Sequence, residues 1–216
     1  MSLLNQPVQL IVVLFALSIL PLMVVLGSSF LKLAIVFSLL RNALGIQQIP
    51  PNIALHGLAL MLTLFIMAPI GLQIQSNLAQ RPLYLEAKDF TDRIDKDVLV
   101  PYREFLERNT APGQIQFFSE IGHQVWPEQY HSQIPDRSLI VLMPAFTVSQ
   151  LIEAFKIGLL LYLPFVAIDL IVSNVLLAMG MMMVSPMTIA LPLKLLVFVL
   201  ANGWEKLLKQ LILSFS

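Results

Sequence analysis

The chain has 216 residues, of which 57% are hydrophobic and 12% charged, and its thirteen basic and thirteen acidic side chains cancel. Soluble domains carry roughly 25% charged residues, so this is a membrane-class composition, and zero net charge without a polybasic run argues against nucleic-acid binding and against general attraction to anionic lipid. With no cysteine, disulfide frameworks, thiolate nucleophiles and cysteine-held metals are excluded.

The first unit, residues 1–75, is an apolar helical block. From Gln9 to Leu44 only Pro21 and the Gly27-Ser28-Ser29 group interrupt the apolar run. As one helix it would be about 54 Å long, more than the roughly 30 Å thickness of a bilayer core. The first charge is Lys32, so the basic n-region of a secretory signal is missing, and the stretch is expected to be retained. RNALGIQQIPPN (41–52) follows. Gly45 suits a C′ cap and Pro50-Pro51 forbids helix continuation. Two readings stand side by side: a plain helix stop, or a polar group (Arg41, Asn42, Gln47, Gln48) that hydrogen-bonds across a subunit interface because it is costly in lipid.

Residues 76–137 hold ten acids and seven bases, leaving nine charges for the rest of the chain. This is a small water-facing module. Tyr102, Phe105 and Leu106, then Phe117, Ile121 and Val125, fall at helical spacing, which predicts two or three short amphipathic helices. DRIDKD (92–97) lacks the glycine and the final glutamate of a calcium loop and reads as a solvated face.

The third unit, 138–202, is apolar again. Each apolar block has room for two crossings of about 20 residues, so the plain count is four membrane helices. In PAFTVSQLIEAFKIGL (144–159), Pro144 suits a first helical turn, and Gln150, Glu153 and Ile157 share a face beside Lys156. Glu153 and Lys156 either form a weak local pair, or each finds a distant partner in an apolar setting. Asp169 lies in the middle of an apolar helix. It is either a proton or ion carrier or the partner of a fixed cation, and the expected pairing is of Asp169 or Glu153 with Lys194. MGMMMVSPM (179–187) then concentrates half of the ten methionines. Flexible thioethers at a Gly and Ser-Pro turn are either filler between two helices or a seal contributed by identical subunits around an axis. Arg41 and Lys194 place the 41–52 and 180–194 connections in the cytoplasm and the module outside. Residues 203–216 end the chain in an amphipathic helix (Trp204, Leu207, Leu208, Leu211, Ile212) for an interface or a partner.

Enzyme motifs are missing. There is no His-Glu-x-x-His, phosphate loop or Gly-x-Ser-x-Gly, and His56, His123 and His131 lack metal-ligand spacing. Neither cofactor nor metal is expected, and the fold class is all-α: long apolar helical hairpins in a membrane-associated oligomeric assembly, with a small soluble helical insertion.

LRNALGIQQIPPN and PAFTVSQLIEAFKIGLLLYLPFVAIDLIVSNVLLAMGMMMVSPMTIALPLKLLVFVLANGW resemble the FliP/YscR/SctR family, the R subunit of the type III secretion export apparatus. The likeness covers nearly all of the chain outside 76–137 and is closer to the injectisome branch than to the flagellar one. It implies a non-enzymatic, pore-forming export-gate component in the bacterial inner membrane, assembled as a homopentamer that projects towards the periplasm. S-type, T-type and U-type subunits are the implied partners, and unfolded secretion substrates the implied cargo. Met181, Met182 and Met183, with Met179, correspond to a gasket at the constriction; Asp169 and Lys194 match polar positions of the helical core. Gln150 stands where many relatives carry a glutamate, so an ion pair there becomes a hydrogen bond or moves to Glu153. An assembly scaffold, and an ion-conducting subunit using Asp169 and Lys156, are the alternative functions.

Overall fold

A computed structural model describes residues 7–46, 50–80, 98–133, 138–181 and 183–215. Every regular element among them is helical: α1 (Pro7–Leu26), α2 (Phe30–Leu44), α3 (Asn52–Gln80), α4 (Val100–Arg108), α5 (Pro112–Val125), a 3₁₀ turn (Glu128–Gln133), α6 (Leu139–Ala178), α7 (Pro186–Leu200) and α8 (Gly203–Leu213). Gln47, Gln48 and the DRIDKD run lie outside the described residues.

The apolar run from Gln9 to Leu44 is not one helix. It breaks at Gly27-Ser28-Ser29, where α1 and α2 meet at 59°. The two halves then meet different environments. On α2, Leu33, Val36, Phe37, Leu40 and Leu44 recur at helical spacing and are at most 4% exposed, so each contributes roughly 1.5–3 kcal/mol relative to exposure. They pack against α3, α6 and α7. On α1, Ile11, Leu14, Phe15, Leu17 and Leu22 are exposed.

α6 spans 40 residues, about 60 Å. It begins at Leu139, with Ser138 as its extended N-cap residue and the Ser138 carbonyl accepting from Val141 and Leu142 N–H. Pro144 is therefore its sixth residue, in the second turn rather than the first. The early part of α6 buries Val141, Leu142, Ala145, Phe146, Ser149, Gln150, Ala154 and Gly158 in a continuous stripe. Beyond Gly158 only Phe165, Val172 and Leu176 are buried, while Leu159, Leu160, Leu163, Leu170 and Ile171 face outwards.

Among the described residues two helices, α3 and α6, are each long and apolar enough to cross a membrane; the count reaches four if the bent pairs α1–α2 and α7–α8 each make one span. The module contributes α4, α5 and the 3₁₀ turn. Its α4 buries Phe105 and Leu106 against Leu142, Phe146 and Phe215, whereas Phe117, Ile121 and Val125 of α5 are exposed. α8 turns back at 62° from α7 and inserts Leu207 and Leu211 into the α2 cluster. Its apolar face thus has a partner inside the chain.

Candidate functional site: a methionine bend and two buried cations

The α6–α7 connection is closed by its own backbone. Gly180 adopts φ +71°, its N–H donates to Leu177 O, and Met181 N–H donates to Leu176 O across five residues. These two bonds make a Schellman cap, which uses a left-handed residue to satisfy carbonyls released at a helix end. Ser185 and Pro186 then start α7, with the Thr188 hydroxyl donating to Ser185 O at 2.7 Å. The same cap ends α2: Gly45, at φ +80°, donates to Asn42 O and Ile46 N–H donates to Arg41 O. Around the α6–α7 bend Met179, Met181 and Met187 are exposed, and Met183 is 100% exposed. Met182 lies outside the described residues. The end of α6 is ordered by backbone hydrogen bonds, and the described thioethers, those of Met179, Met181, Met183 and Met187, are exposed.

Below the bend, Lys194 Nζ lies 2.7 Å from Asp169 Oδ2 and 3.2 Å from Ala43 O. The ammonium thus ties α7 to α6 and also occupies a carbonyl at the C-terminal end of α2, where a positive charge is favoured by the helix dipole. Lys194 is buried, while Asp169 keeps part of its surface exposed. Of the two acids expected to meet Lys194, Asp169 is its partner. The 41–46 and 179–187 connections lie together here, around a cavity lined by Leu44, Gly45, Asp169, Met187 and Lys194. The module packs at the other end of α2 and the start of α6.

Glu153 meets neither Lys194 nor Lys156. Its Oε2 is 2.5 Å from Lys32 Nζ, a residue that sequence reasoning noticed only as the first charge. Lys32 is fully buried; its Nζ also donates to Ser214 Oγ at 3.1 Å and stands 4.1 Å from the centre of the Phe215 ring. An ammonium has three donors and no acceptor; a carboxylate, a hydroxyl and an aromatic face surround this one. The arrangement joins α2, α6 and the end of α8. Lys32 in one apolar run and Glu153 in another were the signal for it, since a buried charge is costly without a partner.

Gln150 is 1% exposed and uses its Nε2 to donate to Asn109 O at 2.6 Å. Beside it Ser149 Oγ accepts from Ala111 N–H at 3.0 Å. The α4–α5 turn of the module is docked on α6 by these two bonds, and Gln150 Oε1 is buried without a partner among the described residues. Arg41 hydrogen-bonds Asn52 at the start of α3, which links the end of α2 to α3. Asn42 and Lys156 are exposed. Among the described residues no group of His, Asp and Glu side chains is placed to hold a metal ion.

The FliP family matches residues 13–211. Across 100% of both chains the protein is 58% identical to Virulence protein YscR of Salmonella typhimurium. It is 50% identical to Yop proteins translocation protein R of Yersinia pestis, covering 99% of this chain and 98% of that one. With Harpin secretion protein HrcR of Erwinia amylovora the identity is 44%, covering 97% of each. The chain therefore belongs to the FliP family, on its YscR/HrcR injectisome side.

Proposed function

We propose that this chain is a pore-lining, non-catalytic subunit of a type III secretion export gate in the bacterial inner membrane, and that its methionine bend seals the closed passage for unfolded substrates. Its relatives are named as translocation and secretion proteins. The observation that carries the finer reading is the contrast within the bend: a Schellman cap fixes the backbone at Gly180 and Met181, while the Met183 side chain is fully exposed. A fixed loop with flexible thioethers suits a contact that must seal and then part, because methionine adapts to irregular surfaces. Copies of the chain, five by family resemblance, would bring their bends together at a common axis, with S-, T- and U-type subunits completing the complex. The outward apolar side chains of α1 and late α6 are surfaces for those neighbours and for lipid, and the assembly extends towards the periplasm.

The polar set fits this reading. Asp169 is held by Lys194 and Glu153 by Lys32, which favours a role in fixing helix positions over a free carboxylate that carries protons. Replacing Met181, Met182 and Met183 together with alanine tests the seal. Leakage of small solutes through complexes that still assemble is the expected result. Unchanged permeability and unchanged export would instead assign the chain to a scaffold.

A further inference from the structure

The break between α1 and α2 is held from outside. At a helix end the last carbonyls lose their intrahelical donors, and here two of them are met by side chains from distant elements. Tyr102 on α4 of the polar module donates its hydroxyl to Gly27 O at 2.8 Å. Thr147 on α6 lies 3.2 Å from Leu26 O and 2.8 Å from Met143 O, so its single hydrogen is shared. Local capping is weak by comparison. Ser28 Oγ accepts from Phe30 N–H at 3.3 Å, and Ser29 Oγ is buried with no partner among the described residues. The approach is close: a Cβ on residue 27 would sit 2.0 Å from the Tyr102 oxygen and 2.9 Å from Met143 Cε, so only glycine admits the tyrosine. Burial pushes the Tyr102 hydroxyl up to about 12, which keeps it a donor at any physiological pH.

Beyond this joint α1 has α2 as its main neighbour and exposes Leu14, Phe15, Leu17 and Leu22. We propose that Tyr102 and Thr147 are positioning residues that set the angle at which the α1 arm leaves the core, so that the polar module governs how the arm is presented to a second copy of the chain. The last clause rests on the reading of the protein as a subunit packed against its own copies; the joint itself does not. Tyr102 dominates because its hydrogen is not shared.

The chain has no cysteine, so spin labels placed at Leu17→Cys on α1 and Leu64→Cys on α3 report the arm alone. The measurement uses the purified complex with labelled chains diluted into unlabelled ones. One narrow distance distribution is expected for the otherwise unaltered protein, a broader one for Tyr102→Phe, a smaller broadening for Thr147→Val, and a return to the narrow form for Thr147→Ser. Amide exchange over residues 23–30 should quicken by about fivefold in Tyr102→Phe, the factor that accompanies loss of one hydrogen bond, with no change around Lys32. A Tyr102→Phe/Thr147→Val chain as narrow as the parent overturns the joint, whatever the complex exports. A broadened arm with an undiminished yield of assembled complex overturns the role given to its angle.

Discussion

The surroundings of Lys32 and the methionine bend place their chemistry in opposite ways. At Lys32 one charge gathers a carboxylate from α6 and a hydroxyl and a ring from the end of α8, all within the protomer. At the bend the end of α6 closes its own backbone hydrogen bonds, and the side chains of Met179, Met181 and Met183 are turned outwards. Buried polar contacts thus fix the shape of the single chain, while the thioethers of Met179, Met181 and Met183 are exposed and, on the proposed seal, serve surfaces of neighbouring copies. If this division is right, damage at Lys32 shows as lost stability and damage at the bend shows as altered permeability.

The largest expected effect follows from Lys32→Ala. It removes the packed stem and leaves Glu153 without its cation, and because Glu153 remains partly exposed the cost falls at about 2–4 kcal/mol, at the lower side of that for a broken buried pair. Thermal unfolding in detergent reads it, and Lys32→Met combined with Glu153→Gln should recover most of the loss. An undiminished midpoint in Lys32→Ala would remove one side of the comparison.

Lys194→Met comes next, at about 1–2 kcal/mol, since its partner Asp169 is also partly hydrated and solvent screens the pair. A double-mutant cycle with Asp169→Asn should show coupling between the two sites. Additive losses would mean that Lys194 acts mainly through Ala43 O.

The Tyr102 hydroxyl gives a smaller, pH-dependent term. Its value in the folded chain, about 12, is above the ordinary 10.0, so the folded state disfavours the ionised form. That contribution is fully present below pH 10 and is lost as the pH rises through about 12. Tyr102→Phe should flatten the fall in stability over this window, and an unchanged alkaline profile would show that the hydroxyl is not buried as described. Smallest of all on stability is alanine at Met181 and Met183, where the unfolding midpoint should stay unchanged.

Local signals made much of this fold legible from sequence. Gly27-Ser28-Ser29, Gly45 and Gly180 each mark a true interruption because the backbone at a stop or tight approach accepts few other residues. The 203–213 helix was readable from its period, but not that its apolar face turns back onto α2, because periodicity identifies a face and not its partner. Asp169 and Lys194 flank one hairpin and invited pairing. Lys32 and Glu153 are 121 positions apart, on helices whose contact no spacing rule encodes, so the stronger of the two networks was missed. Phe117, Ile121 and Val125 carried a clear helical stripe yet are exposed, because an amphipathic pattern is the same whether its partner lies in the chain or outside it. For the same reason exposure of the methionines acquires meaning only in an assembly.

The central claim is that the methionine bends of several copies meet at a shared axis. In the cysteine-free background, Met183→Cys and, as a comparison, Leu170→Cys on the outward face of α6 can each be oxidised in the assembled complex. The account predicts that chains carrying Met183→Cys become linked to one another while those carrying Leu170→Cys do not. Chains that stay separate at position 183, with that thiol open to a lipid-soluble reagent in the intact complex, would contradict it.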